Sequence, residues 1–421
     1  MRKIPEVLAP AGDMERLDAA LQFGADAVYL AASEYGMRTA PANFDQAGLK
    51  AAVAKAHAVG VPVYVTCNIL PRNAEIDRLP AYLEQVCDAG ADALIVADFG
   101  VMRAVKRLAP SLPLHVSTQF GVVNYATAQE LYDQGASRVV LARELSLDEI
   151  AEIRARTSPA LELECFVHGA MCMSFSGRCL LSNYLVGRDA NHGDCAQPCR
   201  WRYHLTEAEH PDRELTLEQT DEGSFVFNAN DLNMLAHLPA LAQAGVTSFK
   251  IEGRAKAAYY VATVTGAYRA AVDGYLASCC SADYVPAPWM LEELEKVSHR
   301  PYGTGFYFGM PQQNLSAGGY IRHWQVAAVA EEWRDGVLYV RQRNRFFVGE
   351  TLDVRQPNVP PFPLEVVSMI DEDGNSIESA PHPTMRCAIP CPRPVVPGAL
   401  LRRACGGQST RLECAAALCG E

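Results

Sequence analysis

The sequence predicts an α/β protein: a (β/α)8, TIM-barrel-like domain that carries a cysteine-rich insertion and is followed by a small all-β domain. Amphipathic helices alternate with short apolar runs over the first 255 residues, and eight such runs can be counted there. Eight parallel strands are the number that closes a barrel. An open doubly wound sheet is the alternative, but no Gly-x-Gly-x-x-Gly pattern follows the first apolar run, which weakens it.

The eight runs share a local pattern, in which most of them follow a glycine that ends a helical stretch. Glycine just past a helix is a typical C-cap, and a short run of β-branched or aliphatic residues is typical of a buried parallel strand. Each copy therefore predicts one step from helix to strand. The runs lie at 7–10, 24–30, 60–66, 90–96, 114–118, 135–141, 161–167 and 245–251.

The last quarter of the chain has a different residue pattern. Short stretches of alternating apolar and polar residues are separated by Asp-Gly and similar turns, as in all-β domains. The long segment before the eighth run is too long for a plain connection, so it carries function or a small structure of its own. We predict a barrel domain at 1–310 with a cysteine-rich insertion at 169–245, a small β-barrel at 315–403 and an unassigned tail at 404–421.

Composition limits the possible partners. The formal net charge of −12 argues against non-specific coating of nucleic acid, because phosphate binding draws on clustered Lys and Arg. A local basic patch is compatible with that charge, and Arg178, Arg188, Arg200 and Arg202 provide one candidate. We find neither a signal-peptide pattern nor an apolar stretch of membrane-spanning length, and so expect a cytoplasmic protein with no membrane segment.

Four cysteines, Cys172, Cys179, Cys195 and Cys199, lie within 28 residues and have the spacing C-x6-C-x15-C-x3-C. Such a group in a chain without an export signal indicates a metal centre more often than disulfides. Zinc favours two tight C-x2-4-C pairs, and only the last two cysteines have that spacing. An iron–sulfur cluster tolerates looser spacing. The spacing leaves iron–sulfur, zinc and no metal open.

Reactive side chains of a (β/α)8 barrel belong at the carboxyl ends of its strands. Lys250, Glu252 and Arg254 alternate there, so they are expected on one face, where they pair with each other or meet an anionic ligand. His168 is a candidate general acid or base, or a structural neighbour of the cysteine segment. The other polar residues predicted at these ends are Asn68, Asp98, Gln119, Arg143, Glu144 and Glu164.

Hydrolytic patterns are poorly supported. The sequence has no H-E-x-x-H and no G-x-S-x-G. Cys165 and His168 are three residues apart on a predicted strand, which places them on opposite faces rather than side by side.

Several long motifs resemble the U32 family, which carries the label of collagenase-like peptidases. The resemblance covers about residues 4–403 and is carried by the segments Leu8-Ala-Pro-Ala-Gly12, 164–182, 191–200, 248–254 and 298–309. Members with a short β-rich carboxyl domain resemble tRNA hydroxylation proteins. The resemblance therefore implies an enzyme that forms 5-hydroxyuridine at the wobble position of tRNA, dependent on prephenate and independent of oxygen. A collagenase-like peptidase and a 23S rRNA cytidine hydroxylase are the alternatives.

The same resemblance implies a [4Fe-4S] cluster held by Cys172, Cys179, Cys195 and Cys199, with zinc as the alternative metal. A ubiquinone-pathway relative has a cysteine in the stretch where this chain has Asn233, which leaves Cys199 as the fourth ligand here. The expected partners are prephenate and the tRNA anticodon loop, and the oligomeric state is undecided. We predict catalytic roles for His168, Glu164 and Glu252, and substrate binding by Lys250, Arg254, Arg143, Gln119, Asn68 and Arg178.

Overall fold

A ring of parallel strands forms the first part of the molecule. The computed structural model describes residues 4–37, 43–172, 174–175, 178–201, 219–220, 223–224, 229–311 and 319–405. The chain divides into two compact units: the first runs to Tyr320 without residues 295–298, and the second comprises 295–298 and the chain from Ile321 onward.

The strands of the first unit alternate with helices along the chain. The strands are β1 (Glu6–Pro10), β2 (Ala27–Leu30), β3 (Val63–Cys67), β4 (Ala93–Val96), β5 (Leu114–Val116), β6 (Arg138–Val140), β7 (Glu162–Gly169), β8 (Gln219–Thr220), β9 (Gly223–Ser224), β10 (Asp231–Asn233), β11 (Ser248–Ile251) and β12 (Tyr302–Gly303). The helices are α1 (Met14–Gln22), α2 (Gln46–His57), α3 (Asn73–Asp88), α4 (Phe99–Leu108), α5 (Tyr125–Asp133), α6 (Leu147–Ala155), α7 (Leu181–Val186), α8 (Leu238–Gln243), α9 (Ala258–Ala277) and α10 (Pro288–Glu295).

Strand pairing closes the barrel. Strands β1 to β7 pair in order, each parallel to the next, and β11 pairs in parallel with both β7 and β1. The predicted (β/α)8 fold is therefore confirmed. All eight predicted runs contain a barrel strand, because a glycine C-cap followed by an apolar run is a purely local signal.

The barrel helices begin where short polar side chains cap them. Asp13, Asp45, Asp98, Asn124 and Ser146 each accept a hydrogen bond from a backbone N–H in the first turn of the helix that follows. Such caps satisfy amide groups that have no partner within the helix. They fix the position at which each connection leaves the carboxyl rim and the helix starts.

Two features of the sheet were not predicted from the sequence. Strand β10 pairs antiparallel with β7, with Asn233 opposite His168, and β12 pairs with β10, which widens the sheet beside the barrel. The register between β7 and β11 also shifts, because Lys250 lies opposite Phe166 whereas Ile251 lies opposite His168. This bulge at Val167 changes the face on which the following side chain lies.

The second unit is an antiparallel sheet. Its strands are β13 (Trp324–Arg334), β14 (Val337–Gln342), β15 (Thr351–Arg355), β16 (Phe362–Glu365), β17 (Ile370–Asp371), β18 (Arg386–Pro390) and β19 (Leu400–Ala404). They are arranged in the order β16, β15, β19, β13, β14, β18, β17, around a buried core that includes Leu338, Phe346 and Val354. Within the described ranges, none of the helices combines the length and apolarity needed to cross a bilayer.

Candidate active site at the barrel mouth

An open cavity of about 840 Å³ lies at the carboxyl ends of the barrel strands. Residues that follow five of these strands contribute to its wall: Asn68, Gln119, Arg143, Ala170 and Glu252. The carboxyl face is where barrels of this type place their active sites. The cavity is therefore the candidate active site.

All four clustered cysteines line this cavity. Cys172 and Cys195 are exposed, and Cys179 and Cys199 are half-buried. Burial raises the pKa of the Cys199 thiol, Arg200 lowers it, and the other three cysteines raise it further, so the four sulfurs are close enough to interact. Four thiols on one cavity wall are the donor set that an iron–sulfur cluster requires.

Among the residues that the structure describes, no group of three or more His, Cys, Asp or Glu side chains is arranged to hold one metal ion. In a four-iron cluster each thiolate binds a different iron, so the sulfurs surround a larger object than one ion.

The charge of the cavity wall is opposite to that of the whole chain. Among the described residues that line it, seven are cationic and two, Asp194 and Glu252, are carboxylates. An excess of positive charge in a concave site attracts anionic ligands. The cationic residues are Arg143, Arg178, Arg188, Arg200, Lys250, Arg254 and Lys256.

A buried ionic network lies below the cavity floor. Lys250 Nζ lies 2.7 Å from Glu164 Oε1, and Arg138 Nη1 lies 3.1 Å from Glu164 Oε2. Arg138 also pairs with Glu6 and Glu162. Burial alone would raise the pKa of Glu164, but Lys250 and Arg138 hold it below its ordinary value. Glu164 is fully buried and does not line the cavity, so its position favours holding Lys250 over contacting substrate.

His168 lies outside the cavity lining. The β7 bulge places its ring among Tyr260, Tyr268 and Tyr302, and only 1% of the residue is exposed. Burial lowers the pKa of His168 to about 3, with smaller contributions from Lys256 and His299. A histidine ring that is held neutral in this packing fits a structural role better than the role of a general acid. The packing partners are tyrosines, and no bond to the cysteine segment is seen among the described residues.

The predicted substrate-binding residues do line the cavity. Arg143 lies over the Phe166 ring, 3.9 Å from its centroid, and donates a hydrogen bond to the Ala170 carbonyl. Its Nη2 lies 3.7 Å from Glu252 Oε2. Asn68 Oδ1 accepts a hydrogen bond from the Met37 amide. Gln119 is 8% exposed, and its Oε1 has no hydrogen-bond partner in the described part of the chain.

Arg254 is fixed by two separate parts of the barrel. Its Nη1 donates to Thr66 Oγ1 on β3 at 3.1 Å. Its carbonyl lies against Gly12, where an added Cβ would sit 2.1 Å from the carbonyl oxygen. Only glycine permits this approach. Two of the motifs singled out in the sequence, 8–12 and 248–254, therefore meet at the wall of the cavity.

Two further wall residues, Lys256 and Tyr320, were not predicted from the sequence. Lys256 follows the end of β11, and Tyr320 is far along the chain, but both line the cavity. Three aromatic side chains of the cysteine-rich segment, Phe175, Tyr184 and Trp201, are exposed. Arg202, part of the predicted basic patch, lies outside the described residues.

These features define a (β/α)8 barrel protein with a cysteine-lined, cationic cavity at its carboxyl face. A family model described as Peptidase family U32 matches residues 12–317, and one described as Peptidase family U32 C-terminal domain matches residues 322–402. The chain belongs to peptidase family U32.

Sequence similarity to known proteins covers nearly the whole chain. The tRNA hydroxylation protein P1 of Bacillus subtilis is 35% identical over 406 residues, covering 95% of each protein. The tRNA hydroxylation protein P of Escherichia coli is 34% identical over 457 residues, covering 97% of this chain and 98% of its own. A solved U32 peptidase structure is 16% identical and covers 59% of this chain and 92% of its own, with a TM-score of 0.40.

Proposed function

We propose that this protein is an iron–sulfur tRNA-modifying enzyme that forms 5-hydroxyuridine at the wobble position, using prephenate and not molecular oxygen. The observation that carries the proposal is the joining, in one cavity, of four cysteine thiols with seven cationic side chains. The similarity to tRNA hydroxylation proteins over at least 95% of the chain supports the choice of substrate.

Cys172, Cys179, Cys195 and Cys199 would hold the [4Fe-4S] cluster. Their common cavity and their mutual electrostatic influence fit this donor set. Only Cys195 and Cys199 have the tight C-x2-4-C spacing that zinc favours, so the sequence spacing favours a cluster over zinc. When bound, the cluster would supply a route for electrons next to the substrate.

The floor of the cavity suits a dicarboxylate such as prephenate. Lys250 lies in β11 and Arg254 lies three residues beyond its end, whereas Arg143 follows β6. Guanidinium groups pair with carboxylates through two parallel hydrogen bonds, and an ammonium group adds a point charge. The Glu164 carboxylate below the floor keeps the Lys250 ammonium in position.

The cysteine-bearing wall suits an RNA loop. Arg178, Arg188 and Arg200 lie beside the cysteines, and Trp201 is 39% exposed. Single-stranded RNA is commonly held by basic groups on its phosphates and by aromatic rings that stack on splayed bases. Arg188 is already paired with Asp194, at 2.7 Å, and Arg200 donates a hydrogen bond to the Met171 carbonyl, so Arg178 is the stronger phosphate candidate.

A peptidase activity is less well supported by the geometry. Burial raises the pKa of the Cys165 thiol to about 12, which suppresses the thiolate that a cysteine nucleophile needs. Neither Cys165 nor His168 lines the cavity. The four clustered cysteines have no histidine beside them on the cavity wall within the described residues.

The proposal is tested by mass spectrometry of tRNA nucleosides from a strain that lacks this gene and any redundant paralogue. We expect 5-hydroxyuridine and its derivatives to disappear and to return with the intact gene. They should not return with a Cys172→Ser, Cys179→Ser or Cys195→Ser gene, whereas a Cys87→Ser gene, altered on helix α3, should restore them. Unchanged nucleosides in the deletion strain would overturn the proposal.

A further inference from the structure

Lysine is much rarer than arginine in this chain, and some of its lysines lie at the candidate active site. Only seven of the 37 Lys and Arg residues are lysines, and two of the seven, Lys250 and Lys256, line the cavity. Arginine serves better than lysine for paired recognition of carboxylates and phosphates. A lysine at such a wall offers what arginine does not, a primary amine that can act as a nucleophile.

The two cavity lysines have different surroundings. Lys250 forms an ion pair with the buried Glu164 carboxylate at 2.7 Å. Both lysines lie against aromatic rings, and the Lys256 Nζ is 4.1 Å from the Tyr320 centroid and 5.1 Å from the Tyr260 centroid. Lys256 also forms a hydrogen bond with the Tyr320 side chain.

A second cation faces the same tyrosine. Arg300 Cζ lies 4.1 Å from the Tyr320 centroid, and its Nη1 donates to the Tyr320 hydroxyl at 3.1 Å. Asp231 fixes Arg300 by accepting hydrogen bonds from its backbone and from its guanidinium group. The Tyr320 hydroxyl is therefore held next to the Lys256 amine by Arg300, which is itself fixed by Asp231.

The surroundings of Lys256 shift its amine towards the neutral form. Burial lowers the pKa of Lys256 below its ordinary value, and Arg300 adds to that effect, whereas Tyr320 and Asp231 oppose it. Lysines that act as Schiff-base nucleophiles have this combination of partial burial and a neighbouring cation.

We propose that Lys256 forms an imine with the ketone of a 2-oxo acid bound in the cavity. Arg254, two residues before it, lies in the same wall and suits the carboxylate of such a ligand. The inference rests on the proposed function for its physiological ligand, since prephenate carries a 2-oxo acid group. It goes further by assigning a covalent step and a nucleophile.

The step balances without an oxidant or a reductant. The Lys256 nitrogen forms a bond to the ketone carbon, and the carbonyl oxygen leaves as water together with the two amine protons. The Tyr320 hydroxyl is hydrogen-bonded to the amine, so it can pass a proton from nitrogen to the departing oxygen. The resulting imine is reversible by hydrolysis.

Reductive trapping tests the inference. The full-length protein is incubated with pyruvate or phenylpyruvate and cyanoborohydride, and then analysed by intact mass and peptide mapping. We expect one reduced adduct per chain, located on Lys256. Lys256→Arg keeps a positive charge but cannot form the imine, and should lose the adduct. Lys50→Arg, the same change at an exposed lysine on helix α2 outside the cavity, should retain it.

Three outcomes would overturn the inference: no adduct above that seen with lactate, which lacks the ketone, an adduct on Lys250, or labelling spread over the surface lysines. Peptide mapping of the unaltered protein decides the matter even if a variant fails to fold. Trapping requires no tRNA, so the two proposals fail separately. Absence of trapping in a protein that modifies tRNA refutes only the imine, and trapping without tRNA modification refutes only the proposed function.

Discussion

The Lys250 ammonium and the Glu164 carboxylate lie 2.7 Å apart at the boundary between the barrel interior and the cavity floor, with 6% and 0% of their side chains exposed. Barrel interiors of this type are usually filled by apolar side chains. Here Arg138, Glu6 and Ser248 extend the polar network inward from Glu164. The network fixes a cation at the floor of a ligand cavity.

Replacing Glu164 with glutamine should destabilise the barrel strongly. The change leaves Lys250 without its buried counter-charge and Arg138 with only Glu6 and Glu162, and breaking one partner of a buried ion pair costs about 3 to 5 kcal/mol. Urea unfolding followed by circular dichroism measures the loss. Glu152→Gln, which removes an exposed pair with Arg156 on helix α6, should cost less than about 1 kcal/mol. Equal losses for the two variants would contradict a buried supporting role for Glu164.

Replacing His168 with glutamine should make the free energy of unfolding depend less steeply on pH in the acid range. The folded pKa of His168 is about 3 and the ordinary value is 6.5, so between these values the unfolded chain binds a proton that the native chain does not. Stability from this residue is therefore present above about pH 6.5 and falls as the pH is lowered, by up to about 1.4 kcal/mol per pH unit. The unfolding free energy of both proteins, measured from about pH 4.5 to 7, gives the two slopes. Identical slopes would show that His168 is not held neutral.

Serine in place of any one of Cys172, Cys179 or Cys195 should reduce iron content and visible absorption in protein purified without oxygen. Each thiol lines the cavity, and a cluster loses stability when one of its four ligands is removed. Iron per chain and the visible spectrum are the measurements. Cys279→Ser, at an exposed cysteine that is not among the cavity residues, is the control and should keep both. Colourless protein that contains zinc would favour the zinc alternative.

Replacing Arg178 with alanine should weaken binding of an anticodon stem-loop RNA about equally for different loop sequences. A contact to phosphate carries no sequence information, and removing one should lower the slope of log affinity against log salt by about 1. Binding measured at several salt concentrations gives the slope. Arg103→Ala, at an exposed arginine on helix α4, should leave it unchanged. An unaltered slope in the Arg178 variant would place the RNA elsewhere.

Replacing Gly12 with alanine should impair ligand binding by displacing Arg254. The new Cβ would lie 2.1 Å from the Arg254 carbonyl oxygen, which backbone cannot accommodate without moving. We expect the KM for prephenate to rise, together with a loss of thermal stability. Gly303→Ala meets its nearest neighbour at 3.5 Å, an ordinary contact, and should be milder on both counts. Equal effects from the two variants would show that the contact with Gly12 does not position Arg254.

The barrel and the cysteine quartet were predictable because their signals are local. A glycine cap followed by an apolar run identifies a strand such as β2 or β4 from a few residues, and the count of eight then implies closure. The roles of Glu164 and His168 were not predictable in the same way. The bulge at Val167 and the pairing of β10 with β7 depend on the register between distant segments, and they decide which side chain enters the cavity.

By itself the sequence determined the parallel barrel, the β-rich second unit and the presence of four closely spaced thiols, since each follows from the order of residues along a short stretch. Only the tertiary structure decided that Glu164 supports Lys250 from below, that tyrosines surround His168, and that Lys256 lies beside Tyr320. These relationships join residues separated by 64 to 134 positions, as between Lys256 and Tyr320 or His168 and Tyr302. Such contacts arise from packing and burial, which no local pattern encodes.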